Sequence, residues 1–262
     1  MTDPITLAVD PRGVATVTLN RGELHNALDG DSTAYLIAVL ETLADDDSVK
    51  IVILTGSGIS FSAGHDIDWL RRQADFTEEE LSRDASLLSR LLETLDSLPH
   101  PTIARVQGSA FGIGVGLVTC CDIAIAASGA LFGFSEVKLG TVPAVSVPYL
   151  IRTIGARAAR RYLISAERFN AGKAKRLGVL HQVVELEELD AAVEQAVHQL
   201  LLNAPQAMRE AKSLVNRLSG LGVGSEARTD AIATLTRVRQ TAEGKEGIAA
   251  FIEKRAPGWL KP

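Results

Sequence analysis

Hydrophobic and polar positions alternate over ITLAVD (5–10) and again over VATVTLN (14–20), on either side of Pro11-Arg12-Gly13. Alternation with a period of two around such a turn predicts a β-hairpin. From Asp31 to Leu43 the period lengthens, and Tyr35, Leu36, Val39, Leu40 and Leu43 share one stripe of a helix. VKIVILTG (49–56) is a continuous apolar run ending in glycine, the pattern of a strand buried on both faces. A helix is expected after Asp66, which suits an N-cap, and a longer one from about Thr77 to Leu98, stopped by Pro99 and Pro101.

The pattern then recurs. PTIARVQG (101–108) reads as a strand, a glycine-rich segment leads into a helix over about 113–121, and CDIAIAA (121–127) is a further strand. ALFGF (130–134) is short and extended, and VPYLIRTIGARAARRYLIS (147–165) reads as one helix. The repeating unit is strand, strand, helix with short connections, an α/β stack rather than alternating βαβα. From about Leu186 strands vanish and helical patterns take over. The expected organisation is therefore a core over 1–195 and a C-terminal helical region over 196–262.

Composition adds exclusions. A chain of 262 residues, 46% hydrophobic and 23% charged, is long enough to bury a substantial core. Net charge of −5 gives no electrostatic footprint for nucleic acid, and no Lys/Arg block marks a membrane surface. No stretch of about 18 uncharged apolar residues occurs, so a soluble, cytoplasmic protein is expected. Cys120 and Cys121 are adjacent, which disfavours a disulfide between them, and the five histidines are scattered. No metal and no separate cofactor are expected.

The chemistry centres on RVQGSAFGIGVGLV (105–118), with glycines at 108, 112, 114 and 116 and no acid between Ser97 and Cys121. Dinucleotide binding asks for GxGxxG and a later acid at a strand end; the spacing here is Gly112-x-Gly114-x-Gly116, and that acid is missing. Glycines four apart also permit a helix to pack closely on a strand. A third reading joins this turn to SGISFSAGHDIDWL (57–70), which likewise follows an apolar strand and opens a helix. Two such turns can aim peptide N–H groups at one point, an oxyanion hole for charge developing on a carbonyl oxygen.

Along nearly the whole chain the residues resemble the crotonase superfamily, the enoyl-CoA hydratases and isomerases. The matching stretches are NRGELHNALD (20–29), VKIVILTGSGISFSAGHDI (49–67), PTIARVQGSAFGIGVGL (101–117), CDIAIAASGALFGFSEVKLGTVP (121–143), ERFNAGKAKRLGVLHQVV (167–184) and AFIEKRAPGW (250–259). The resemblance implies a spiral of ββα units with a C-terminal helical region that assembles homotrimers, often paired into dimers of trimers. It also implies an acyl-CoA thioester as substrate. The oxyanion donors become the backbone N–H groups of His65 and Ile113, the latter where the family usually has glycine; the isoleucine side chain is expected to narrow the acyl pocket. Family hydratases with two carboxylates place one Glu at the position of Gly116, which leaves Glu136 as the solitary carboxylate.

Carried over in the same way, the backbone around Ala63, Asp66 and Ile67 lines the adenine and pantetheine path and Leu24 falls among CoA contacts. Phe251 and Lys254 match a C-terminal pair that reaches the nucleotide, commonly from a neighbouring subunit; helix packing and a solvated charge are their alternatives. Trp69, Leu70 and the segment 71–85 are candidates for shaping the acyl pocket. TVPAVSVPYL (141–150) holds no acid, unlike the hydrolases and dehalogenases of the superfamily. SEVKLGTVPAVSVPYL and ARRYLISAERFNA look like bacterial hydratases for branched or carboxylated esters, of the methylglutaconyl-CoA and carboxygeranoyl-CoA kind. Hydration of a 2-enoyl-CoA is the favoured activity, with Δ3–Δ2 isomerisation and non-catalytic acyl-CoA binding as alternatives.

Overall fold

The computed structural model describes residues 3–260. The hairpin forms as β1 (Ile5–Val9) against antiparallel β2 (Val14–Leu19), followed by helix α1 (Gly30–Ala44). Next come β3 (Ile51–Gly56), β4 (Ser60–Ser62), α2 (Ile67–Gln73) and α3 (Glu78–Asp96). The same order returns in β5 (Thr102–Val106), β6 (Ser109–Phe111) and α4 (Ile113–Cys120), and again in β7 (Ile123–Ala127), β8 (Leu131–Gly133) and α5 (Val147–Ser165). The last strands are β9 (Phe169–Asn170) and β10 (Gln182–Val184), separated by α6 (Ala171–Leu177). Helices α7 (Leu189–Leu201), α8 (Pro205–Leu218), α9 (Ser225–Gln240) and α10 (Ala242–Glu253) complete the chain.

The first repeat places both strands of its hairpin in a large sheet; the repeats that begin at β3, β5 and β7 send their first strand to that sheet and their second to a small one. The large sheet has the order β1-β2-β3-β5-β7-β10 and is parallel beyond the hairpin; the small sheet has the order β4-β6-β8-β9. This is the expected ββα spiral. The small-sheet strands β4 and β6 are three residues each and carry no apolar run, so the sequence pattern read them as turns. They are parallel neighbours, and that pairing sets the two glycine-rich segments side by side.

Caps fix where the helices start. Asp29 and Ser32 form a capping box on α1, Thr77 and Glu80 form another on α3, and the Asp66 carboxylate accepts from the amides of Asp68 and Trp69 at α2. The main core collects Leu36 and Leu40 of α1, Leu91, Leu92 and Leu95 of α3, and most of α4. The other face of the large sheet, with Val14, Ile51, Ile53, Ile103 and Ile125, is covered by Leu189, Val193 and Val197 of α7. That two-sided burial explains the unbroken apolar run of β3. The expected division at 195/196 falls within α7, and α8–α10 pack on one another.

One expected helix is two. At Gly155 the backbone has φ 75° and ψ 154°, which breaks α5 in its middle. Such a conformation is open to glycine and costly for other residues, whereas the apolar periodicity on either side gave no sign of the break. Among the described residues no helix is long and apolar enough to cross a membrane.

Candidate active site

The two glycine-rich turns meet. Gly64 follows β4 with φ 93°, and Gly112 follows β6 with φ 54°. A Cβ at Gly64 would lie 2.9 Å from the Phe111 carbonyl oxygen and 3.8 Å from Gly112 Cα, and one at Gly112 would lie 3.9 Å from Gly64 Cα. Positive φ disfavours a side chain at both glycines, and at Gly64 the approach of the Phe111 carbonyl also excludes one. The two turns are in van der Waals contact, with Gly112 Cα 3.8 Å from the Cβ position of Gly64.

The amides that follow each glycine are free to act as donors. His65 forms an isolated parallel bridge with Leu28, in which Leu28 N–H donates to Gly64 O (2.7 Å) and Asp66 N–H donates to Leu28 O (2.9 Å). Successive amides of an extended chain point to opposite sides, so the His65 N–H faces away from Leu28. Ile113 is the first residue of α4, where N–H groups have no intrahelical acceptor. Among the described residues neither amide donates to another group. The positive end of the α4 dipole adds to the field at Ile113.

Glu136 opens a short 3-10 turn, Glu136–Leu139, after β8. Its Oε1 lies 2.6 Å from the point where a Cβ of Gly112 would stand. Its Oε2 is buried with no hydrogen-bond partner. Burial pushes its carboxyl above the ordinary value of 4.5, while its own amide and that of Ser135 oppose the shift. A buried carboxylate with an unused oxygen is a base in search of a proton. Burial also lowers the His65 imidazole below its usual 6.5, against a weaker pull from Asp84, so the ring stays neutral near pH 7.

A cavity of about 230 Å³ opens onto these groups, with Ala63, Gly64, His65, Gly112 and Glu136 in its wall. Leu70, Gln73, Leu139, Thr141 and Val142 supply the rest of the lining that bears on ligand shape. Of the candidates for the acyl pocket, Leu70 thus lines it, but Trp69 does not. Its indole N–H donates to Asp84 (3.0 Å), its ring meets Phe76 edge-on at 5.6 Å, and it packs against Gly30. Nor does Ile113 narrow the cavity. Its side chain is 1% exposed and packed in the main core, because the Cβ of the first α4 residue turns inward while Gly112 forms the wall. A larger cavity of about 420 Å³ between α8 and α10 contains none of these groups.

The close approaches of α4 also differ from the pairing expected of Gly112 and Gly116. Gly114 is the residue that packs on β4, where a Cβ would lie 2.8 Å from Ser62 O. Gly116 instead faces Ser146: a Cβ there would lie 2.7 Å from Ser146 Oγ and 3.3 Å from Leu92 Cδ2. The space that a second carboxylate would need is filled.

The remaining expected contacts are more dispersed. Ala63 borders the cavity, and Leu24 and Ile67 are exposed on the loop and on the first residue of α2. The Asp66 side chain is spoken for by the helix cap and by Arg21. Phe251, 86% exposed, and Lys254, at the C-cap of α10, are not in the cavity wall of this chain. Sequence reasoning missed Arg21. Its guanidinium bridges Asp29 and Asp66, each at 2.9 Å, and donates to Ala27 O at 2.8 Å, pinning the 20–29 loop to the start of α2. The three acceptors span 40 residues of chain, so no local signal marked it.

Comparison with known proteins identifies the family. The sequence model of the family described as enoyl-CoA hydratase/isomerase matches residues 10–262. The crystal structure of an enoyl-CoA hydratase from Shewanella pealeana superposes with a TM-score of 0.94 at 42% identity, covering 98% of this chain and 96% of that one. A crotonyl-CoA hydratase of Syntrophomonas wolfei is 33% identical over 94% of each chain, and a short-chain-enoyl-CoA hydratase of Clostridium acetobutylicum is 33% identical over 92% of each. The chain belongs to the enoyl-CoA hydratase/isomerase family of the crotonase superfamily.

Proposed function

We propose that this protein hydrates a 2-enoyl-CoA thioester, with Glu136 as its single acid–base group. The observation that carries the reading is the placement of the Glu136 carboxylate against Gly112, one residue before the free Ile113 amide. In this reading the thioester oxygen accepts from the N–H groups of His65 and Ile113. As water attacks Cβ, its proton passes to Glu136, and the electron pair of the double bond moves through Cα onto the thioester oxygen as an enolate. The protonated Glu136 then delivers its proton to Cα, so the elements of one water are added and the carboxylate is restored. Two preorganised amides stabilise the enolate, each worth roughly 10²–10³ in rate, and a positioned base contributes about 10²–10⁴.

The substrate proposed is a branched or carboxylated 2-enoyl ester, on the likeness of residues 135–150 and 159–171 to hydratases of that kind. A homotrimer is proposed from the exposed apolar side chains of the C-terminal helices, Val215, Ile232, Leu235, Phe251 and Ile252. In such an assembly Phe251 and Lys254 would reach the nucleotide of a neighbouring site, with Leu24, Ala63, Asp66 and Ile67 along the CoA path.

The filled space at Gly116 favours one rival. An isomerase needs a single base, which takes a proton from Cα of a 3-enoyl ester and returns it at Cγ. Crotonyl-CoA or 3-methylglutaconyl-CoA is incubated in one arm and 3-hexenoyl-CoA in the other. Loss of enone absorbance in the first supports hydration, and a gain in the second without loss in the first overturns it in favour of isomerisation. Unchanged turnover in Glu136→Gln would remove Glu136 from the chemistry, and absence of turnover with retained acyl-CoA binding would leave a binding protein.

A further inference from the structure

A second cavity, about 270 Å³, shares Ala63 and Ser135 with the cavity that holds Glu136. It lies where β6 and β8 end and β9 begins, the same edge of the small sheet from which the two glycine turns emerge. Phe111, Phe134, Lys138 and Arg168 line it together with those two residues. No acid is in its wall. The Arg168 guanidinium rests over the Phe111 ring, 5.0 Å from its centroid, a contact that orients the cation without neutralising it. Among the described residues neither Lys138 nor Arg168 has a carboxylate partner, although the adjacent Glu167 pairs with Arg161 at 3.0 Å.

These charges do not serve Glu136. The influences that set its protonation are burial and two backbone amides, with no cation among them. Nor do they cap a helix or close a loop. What remains is a cavity that shares two wall residues with the reaction site and carries two unneutralised cations, one of them an arginine placed over an aromatic ring. Arginine in this setting offers a fork of donors suited to an oxyanion, and lysine a mobile point charge beside it.

We infer that Lys138 and Arg168 form an anion subsite for the bound thioester, taking an oxyanion of the ligand that extends from the carbonyl held at His65 and Ile113. The inference rests on the acyl-CoA reading of the site. The oxyanion is either a phosphate of the CoA moiety or a carboxylate on the acyl chain, and the two share one recognition chemistry. Arg168 orients it through paired N–H donors, and Lys138 adds charge.

Calorimetric titration with saturated esters tests the subsite without depending on turnover. The probes are butyryl-CoA, with phosphates only; glutaryl-pantetheine, with a carboxylate only; and butyryl-pantetheine, with neither. Arg168→Met and Lys138→Met keep the apolar stem and remove the charge, and both side chains are exposed enough to leave the fold intact. Each is expected to raise the Kd of one charged probe by about threefold to tenfold, with butyryl-pantetheine unchanged and Arg168→Lys partly restoring affinity. Weakening confined to butyryl-CoA assigns the phosphates, and weakening confined to glutaryl-pantetheine assigns the acyl carboxylate. Equal affinities of variants and wild type for all three probes overturn the subsite while leaving the thioester reading intact. Wild-type protein that binds none of the three overturns that reading, and the subsite with it.

Discussion

Glu136 and Gly112 are in such close contact that the carboxylate oxygen Oε1 takes the place where any Cβ at residue 112 would begin, 2.6 Å away. The contact couples the base to the turn that presents the Ile113 amide. Gly112→Ala therefore meets two penalties, a methyl group against the carboxylate and a side chain at φ 54°. We expect kcat/KM for crotonyl-CoA to fall by about 100-fold, the size of losing one oxyanion donor. Steady-state assay beside circular dichroism checks it; activity within threefold of wild type would mean that the turn can shift without consequence.

Replacing the base itself separates chemistry from binding. Glu136→Gln keeps the shape and removes the proton acceptor, so kcat should fall by about 10²–10⁴ with butyryl-CoA affinity changed by less than about threefold. The same variant should be more stable. Burial raises the folded-state pKa above 4.5, so as pH rises from the unfolded carboxyl's value through the folded one, the native state is forced to give up a proton it favours. Stability belonging to the neutral form is thus full at low pH and lost above that window. At pH 7 the glutamine variant escapes this loss, and Tm should rise by about 1–3 °C. A lower Tm would contradict the desolvated carboxylate.

The pH profile follows from the same shift. Glu136 acts as a base only when ionised, so kcat/KM should decline on acidification through a pKa above 4.5. The neutral His65 ring adds no limb of its own in this reading, and His65→Gln should leave the profile's shape unaltered. A limb at or below 4.5 would show the carboxylate to be well solvated.

Restoring a second carboxylate should fail unless room is made. Gly116→Glu drives a side chain into Ser146 Oγ and Leu92, and overpacking of this kind costs about 1–3 kcal/mol. Urea denaturation should report that loss, and adding Ser146→Gly should recover part of it. If the single variant is as stable as wild type, α4 and the segment before α5 are not packed as described.

Arg21 gives a test remote from the reacting atoms. Arg21→Met leaves the Asp66 and Asp29 carboxylates without their bridge in a setting where both are largely covered. Breaking such a pair one-sidedly is expected to cost about 2–4 kcal/mol and to raise KM for the CoA ester by freeing the 20–29 loop, with kcat little changed. Lysine should not rescue it, since one ammonium cannot replace a fork that reaches two carboxylates and a carbonyl. An unchanged urea midpoint would show the bridge to be dispensable.

Much of the fold was present in local pattern. The β3 run, the caps at Asp66 and Thr77 and the strand-strand-helix recurrence are properties of neighbouring residues and are written in the local sequence. The two glycine-rich turns and the lone Glu136 could also be picked out, the turns by composition and the glutamate by resemblance. Tertiary structure alone decided what those residues touch. It placed the Ile113 side chain in the core and Leu70, not Trp69, at the cavity, because a side chain's direction depends on the packed orientation of its helix. It also filled the space beside Gly116 with Ser146, joined Asp29 to Asp66 through Arg21, and broke α5 at Gly155. Apart from the local turn at Gly155, each of these rests on packing between segments far apart in the chain, which hydrophobic period and local propensity do not encode.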